Sequence, residues 1–323
     1  MRVHRLLFSA VPLVLPLIAG AQPGDYPNRP IRFIVSNTAG GGEDTTARTI
    51  AAKLTTALAQ QIVIDNRPGA AGSIAAELAA KSPPDGYTIL MGSVGNLAVN
   101  PSMYKALAYN PERDFAPVSS VVSQGNILVV NPAVSARSVR ELIALAKARP
   151  GKLTFGSSGS GNTGHLSGEL FKSMARVDMV HVPYKGGAPA MIDLIGGRID
   201  LVFSSASTAL PQIKSDKIKA LAVTSARRST QLPEVPTIAE SGIPGYDAAN
   251  WYGIVVPIKT SRNVVQRLNT EIVRVLAAPD TKAALLNQGL DAAPSTSQEF
   301  GALMHSEAIK WAKVVKSAGI TAD

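Results

Sequence analysis

The sequence contains no cysteine, which excludes disulfides and thiolate chemistry and leaves burial of apolar surface to hold the fold. Aromatic residues are scarce at 5%, and Lys and Arg never collect into a run. The basic, aromatic-studded surface of a nucleic-acid-binding chain is therefore missing, and no nucleic-acid partner is expected. The histidines number four, His4, His165, His181 and His305, and their spacing offers no metal set. A G-x-S-x-G nucleophile motif is also missing. With neither a triad nor a metal cluster readable, the expectation is a protein that is not an enzyme and uses no metal and no cofactor. Long apolar runs are lacking as well. The longest, Leu6 to Ile18, is broken by Pro12 and Pro16 and falls short of the roughly 20 residues a membrane-spanning helix needs.

That run has its own meaning. Arg2 and Arg5 precede it and Ala19-Gly20-Ala21 follows, which is the n-region, h-region and A-x-A site of a secretory leader. Residues 1–21 are expected to be a signal peptide cleaved near Ala21, and the remainder to be soluble and periplasmic. Acidic residues are outnumbered, 23 against 32 basic ones, for a net charge of +9. Loss of Arg2 and Arg5 takes this to +7, a scattered positive field suited to small anions. At 46% hydrophobic over 323 residues, one or two cores can be buried.

The rest alternates short apolar runs with glycine-rich turns and helical patterns. Ile31–Val35 reads as a strand, Asn37 to Arg48 as a turn with three successive glycines, and the Ala47, Ile50, Ala51, Leu54, Leu58 spacing as a helix face. Two more such units follow. Gln61–Ile64 leads into the Asn66–Ser73 loop and a helix over 74–80, and Tyr87–Met91 leads into the loop Gly92 to Asn96. Three βα units imply a parallel sheet with helices on both faces and ligands beyond the strand ends. A β-rich run from Val118 to Asn131 precedes a restart. There a helix over 139–148, a strand over 152–155, the loop Gly156 to Gly164 and a helix over 165–175 are expected. Strands at 199–203 and 219–225 complete the second unit. Residues 227–245 are irregular, Trp251–Pro257 returns as a strand, and helices over 263–276 and from Ser297 close the chain. Thr296 or Ser297 is the expected cap of the last helix. The reading is α/β with two lobes: 22–125 the first part of lobe 1, 126–226 lobe 2, and 227–323 the return to lobe 1.

The chemistry lies in the turns. A strand, a glycine turn and a helix start bring unpaired N–H groups together at the positive end of a helix dipole, and such a point receives carboxylates and phosphates. Ala39, Gly40, Gly41 and Gly42 form one, with Asp44 as helix cap or ligand contact and Ser93 on the neighbouring loop. Ser157, Ser158, Gly161, Asn162 and Thr163 form another, with Ser204 and Ser205 beside it. The segment Gly159 to Gly164 also matches G-x-G-x-x-G, yet it lies mid-chain and has no acidic residue about 20 positions on, so a dinucleotide is not expected. Glu43, next to Asp44, opposes an anion and is expected either to face solvent or to select a ligand with a polar group.

In their order and spacing these residues resemble the Bug-type (TctC-like) solute-binding proteins of tripartite tricarboxylate transporters. The resemblance rests on Ala39 to Asp44 with Arg48, Asn66 to Gly72, Pro84 to Thr88, Gly156 to Leu166, His181 to Gly186, Leu221 to Ser225 and Trp251-Tyr252-Gly253. It implies a two-lobed periplasmic binding protein fold of type II with a ligand cleft between the lobes. It also implies a small carboxylate ligand, a monomeric receptor, and delivery to the permease subunits of a tripartite transporter. A ligand sensor acting on a signalling partner is the alternative, a secreted hydrolase the more distant one.

Overall fold

The computed structural model describes residues 26–322; the expected leader and its cleavage point lie outside the described residues. In chain order the first elements are β1 (Ile31–Val35), α1 (Gly42–Leu58), β2 (Ile62–Asn66), α2 (Ser73–Ala80) and β3 (Thr88–Ser93). Two single-turn helices, α3 (Asn100–Met103) and α4 (Pro111–Asp114), lead to β4 (Phe115–Gln124) and β5 (Ile127–Val130). Then follow α5 (Val139–Ala148), β6 (Thr154–Ser157), α6 (Thr163–Ala175), β7 (Val180–Pro183), α7 (Gly187–Ile195), β8 (Leu201–Ser204), α8 (Ala206–Lys214) and β9 (Lys219–Val223). The chain closes with β10 (Asn250–Pro257), α9 (Arg262–Ala277), α10 (Pro279–Asn287), β11 (Asp291–Ala292) and α11 (Ser297–Ala318).

Two mixed sheets result, one per lobe: β11-β4-β10-β3-β1-β2 and β7-β6-β8-β5-β9. In each, the strands that feed the glycine turns run parallel, β1 with β2 and β3 in the first and β6 with β7 and β8 in the second. Their carboxyl ends therefore gather at one edge of each sheet, the edge where α/β folds bind ligands.

The β-rich run expected over 118–131 is two strands in different lobes, and only Gly125 and Asn126 lie between them. The return path runs beside this crossing. Asn126 N–H donates to Thr224 Oγ1 (2.7 Å), Thr224 N–H to Asn126 O (2.8 Å) and Ala248 N–H to Thr224 O (2.8 Å). A Cβ on Gly125 would sit 2.5 Å from Ser225 Oγ, so close passage of the crossings requires glycine there. Three backbone segments laced at one place make a narrow hinge.

Helix α11 ties the lobes together. Its cap is Thr296, in a reciprocal box: Glu299 N–H donates to Thr296 Oγ1 (3.1 Å) and Thr296 N–H to Glu299 Oε2 (2.9 Å). Its inner positions Phe300, Met304, Trp311, Val314 and Val315 are buried and join one continuous core that reaches from Leu90 in the first sheet to Phe155, Phe171 and Phe203 in the second lobe. Each such fully buried side chain contributes roughly 1.5–3 kcal/mol. Buried Glu307 accepts the indole N–H groups of both Trp251 and Trp311 and pairs with Lys310. Helices α8 and α10 were not expected. In α10 the buried positions are only Thr281 and Leu285, too few for a readable stripe. No helix among the described residues is long and apolar enough to cross a membrane.

Candidate functional site

The lobe-1 turn is built around a carboxylate. Gly41 caps α1 without a side-chain bond, and Asp44, 1% exposed, reaches back under the turn. Asp44 Oδ2 accepts the Gly40 N–H (2.8 Å), both its oxygens take Arg48 Nε (3.0 and 2.9 Å), and Oδ1 accepts Asn66 Nδ2 (2.9 Å). Asn66 Nδ2 also donates to Asn37 O (3.0 Å), so β2's last residue pins the turn that follows β1. Burial alone would raise the Asp44 pKa, but its bonds from Arg48, Gly40 and Asn66 win and hold the carboxyl below its ordinary value. Of the sequence-predicted lobe-1 residues, Gly40 thus spends its amide on Asp44, and Gly41 spends its amide on Thr38 O (3.0 Å). Among the described residues the N–H groups of Ala39 and Gly42 have no partner. Asp44 acts from behind the turn through a fully engaged carboxylate. Asn66, which sequence reasoning did not single out, shares that work; the Asn66-Arg67-Pro68-Gly69 turn signature was its only signal.

Glu43 is neither solvent-facing nor ligand-facing. It is 2% exposed and accepts Ser36 N–H (2.7 Å) and Ser36 Oγ–H (2.8 and 2.7 Å). Burial, opposed by those bonds, pushes its pKa up to about 7. Tyr252, whose hydroxyl lies 3.6 Å from where a Cβ on Gly42 would be, is pushed up to about 12 by burial and then by the Glu43 charge. Ser93, half-buried at the end of β3, donates its N–H to Asn96 Oδ1 (2.8 Å). Asn96 itself is fully buried, and its Nδ2 has no partner among the described residues.

The lobe-2 turn is built around imidazoles. Asn162 caps α6, its Oδ1 taking His165 N–H (3.0 Å) while its Nδ2 donates to Ser158 Oγ (2.8 Å). Ser157 is buried; its hydroxyl donates to Gly159 O (2.9 Å) and lies 2.7 Å from His181 Nε2. Gly161 N–H donates to His165 Nδ1 (3.0 Å). Thr163 begins the helix and gives its carbonyl to Ser167. Ser204 and Ser205 close the same sheet edge, because β8 pairs with β6 and a Cβ on Gly164 would lie 2.7 Å from Phe203 O. Ser205, N-cap of α8 without a side-chain cap bond, forms a hydroxyl cluster with Ser207 (3.2 Å) and Thr208 (3.1 Å). The start of α7 joins them: Gly187's Cβ position is 3.4 Å from Thr208 Oγ1, and nothing lies within 4 Å of Gly186's. Sequence reasoning did not single out Gly186 and Gly187 at this edge; their signal was the Gly-Gly after Tyr184-Lys185.

The structure thus brings Ser157, Ser158, Gly161, Asn162, Thr163, Ser204 and Ser205 to one edge of lobe 2. It brings Ala39, Gly40, Gly41, Gly42, Asp44 and Ser93 to the corresponding edge of lobe 1. Across the gap, Met103 of α3 lays its Cε 2.6 Å from the Cβ position of Gly161, and Ala206 of α8 comes 3.6 Å from that of Gly289. Cationic side chains do not supply the polarity of these turns; backbone amides and hydroxyls do. No cluster of three or more metal-ligating side chains occurs among the described residues.

Two lobes of mixed α/β, joined by a laced hinge and each carrying glycine turns at its strand ends, make a periplasmic binding protein fold of type II. The similarities to known proteins give the family. The profile of the tripartite tricarboxylate transporter family receptors matches residues 46–320. Protein BugT of Bordetella pertussis is 37% identical over 304 residues, 94% of this chain and 93% of that protein. Among solved structures, R. palustris Rpa4515 with adipate is 40% identical with a TM-score of 0.74, covering 92% of this chain and 99% of the other. A TctC solute-binding protein from Polaromonas without ligand gives 28% and 0.83 over 90% and 99%. MatC from Rhodopseudomonas palustris with bound malate gives 29% and 0.70 over 90% and 100%. The chain belongs to the TctC family of solute-binding receptors, whose members are periplasmic binding proteins.

Proposed function

We propose that this chain is a periplasmic receptor that closes its lobes on a small carboxylate and delivers it to the permease subunits of a tripartite tricarboxylate-type transporter. The observation that carries the reading is the pair of glycine-rich turns at helix starts, Ala39–Gly42 at α1 and Ser158–Thr163 at α6, one on each lobe at the strand ends. The unpartnered amides of Ala39 and Gly42 are suited to a carboxylate, and the hydroxyls of Ser93, Ser158 and Ser205 to its other oxygens. Charge-assisted bonds of this kind contribute roughly 1.5–3 kcal/mol each. Only a closed cleft offers both sets at once, so the ligand biases the opening equilibrium through that difference. Asp44 and Asn66 hold the lobe-1 turn in shape without contacting the ligand. That adipate and malate occupy relatives in solved structures supports a dicarboxylate as the first class to try. Leader cleavage near Ala21, the monomeric state and the permease partner belong to the same proposal.

The test is calorimetry with adipate, malate, citrate and benzoate on the wild type and on Gly42→Asp. Gly42 opens α1 with room for a Cβ, and an acidic residue in the first helical turn favours the helix. The variant therefore folds, yet sets a carboxylate where the ligand's belongs. Loss of about 100-fold or more in affinity is expected, since like charges in contact cost several kcal/mol. Wild-type affinity in Gly42→Asp would remove the lobe-1 turn from the site. Turnover of any of these acids by the purified protein would overturn the receptor reading.

A further inference from the structure

The lobe-2 turn is fastened from below by two histidines that belong to different elements. His165, in the first turn of α6, and His181, in the middle of β7, stack with ring centroids 3.7 Å apart and planes 9° from parallel. Phe155 of β6 lies against the stack, 4.9 Å from His181 and 6.3 Å from His165. Gly168 leaves the room that Phe155 occupies, since a Cβ there would collide with the ring. Each histidine holds one end of the turn. His165 Nδ1 faces the Gly161 N–H at 3.0 Å, and His181 Nε2 faces the Ser157 hydroxyl at 2.7 Å.

The first of these contacts dictates a protonation state. A backbone N–H can only donate, so Nδ1 of His165 has to present its lone pair and the proton sits on Nε2. That Nε2 points toward Glu169 Oε1, at 3.8 Å. We infer that His165 and His181 are positioning residues for the lobe-2 ligand turn, a stacked neutral pair that fixes Ser157 and Gly161 and lets the turn go when His165 takes a proton. The inference rests on the receptor reading above and adds to it the residues that shape one of the two binding surfaces.

The surroundings favour the neutral pair. Burial comes first, followed by the neighbouring ring and by Lys172, and together they bring His165 down to about 4. Burial and then Lys172 bring His181 to the same value. The charged groups facing the pair are Glu169 and Lys172 on α6, which bond each other at 2.9 Å. On α11, packed against α6, Lys310 donates to Asp247 O and pairs with Glu307. A proton taken up by His165 converts its Nδ1 from an acceptor into a donor aimed at the Gly161 N–H, and the turn loses its anchor.

Two variants separate this from a merely structural histidine. In His165→Asn the side-chain oxygen takes the place of Nδ1 and does not titrate; in His165→Leu the acceptor is gone. Adipate affinity of each is compared with wild type at about pH 7 and about pH 3, a ratio in which the ligand's own protonation cancels. Relative to His165→Asn, the wild type is expected to lose about tenfold between the two conditions, the effect of going one unit below a pKa of about 4. His165→Leu is expected to be about tenfold weaker than wild type at neutral pH. A constant wild-type to His165→Asn ratio, or equal binding by the Leu and Asn variants, would overturn the inference. In ligand-free protein, ¹⁵N spectra of the imidazoles and of Gly161 provide a second readout. The His165 ring is expected to remain the Nε2–H tautomer down to about pH 5, with the Gly161 amide shifting as it protonates. A charged His165 at neutral pH sinks the proposal whatever the receptor binds. Absence of carboxylate binding by the wild type counts against the receptor reading alone, and the spectra then decide the inference.

Discussion

The two glycine turns are held by opposite means. Behind the lobe-1 turn stands an ionised carboxylate, Asp44, bound to Arg48, Asn66 and the Gly40 amide, with a second acid, Glu43, sealed under Ser36. Behind the lobe-2 turn stand neutral rings, His165 and His181. The first arrangement places negative charge close to where an anion is proposed to sit and offsets it with Arg48. The second places none. A helix start is therefore an anion-receptive shape whose strength is set by what anchors it, and the anchors give the two lobes different sensitivities to pH and to substitution.

The largest effect expected from breaking this comparison is at Asp44. Asp44→Ala leaves the Gly40 N–H and the Asn66 amide without their acceptor, and a loss of about 2–4 kcal/mol in folding stability follows from several buried bonds unmade at once. Denaturant unfolding measures it, and a loss below about 1 kcal/mol would show the turn to be held by its backbone alone. Next in size is the acid limb of the pH–stability curve. His165 is depressed from 6.5 to about 4 in the folded protein, so the unfolded chain binds the proton first and stability falls as pH drops through that window, by about 2–3 kcal/mol. His165→Asn should flatten this limb in thermal melts. The smallest effect is on the other side. Glu43 is raised from 4.5 to about 7, so its contribution is complete below pH 4.5 and is lost as pH rises through 7. Glu43→Gln keeps an acceptor for Ser36 and is expected to gain about 1–2 kcal/mol over wild type near pH 8, with no gain near pH 4. An identical difference at both ends would mean that Glu43 is charged throughout.

Much of the fold was legible because periodicity and turn chemistry are local. The Thr296 cap of the last helix was readable and is in place, and the α1 face of Ile50, Leu54 and Leu58 is buried as expected. The split of the 118–131 run was not legible, because β4 and β5 are both apolar and only Gly125 and Asn126 mark the change of sheet. What makes Gly125 a crossing is Ser225, a hundred residues away. Within the site, the glycines announced themselves, but which amides are free did not. Gly161 reads as an open donor in sequence and is bonded to His165 in the structure. Its φ of 76° and the nearby Met103 also make Gly161→Asp a strained substitution, where Gly42→Asp is a clean one. Asn66 and His181 became site residues only by meeting Asp44 and Ser157.

By itself the sequence determined most of the segments that become strands and helices, that glycine turns follow the parallel strands, and that no thiol takes part. Those follow from side-chain spacing and backbone freedom within a dozen residues. The tertiary structure decided the division of strands between two sheets, the sealing of Glu43, and the stacking of His165 on His181. Each depends on groups far apart in the chain sharing a buried space, where a hydrogen bond or a proton is worth several times what it is in water.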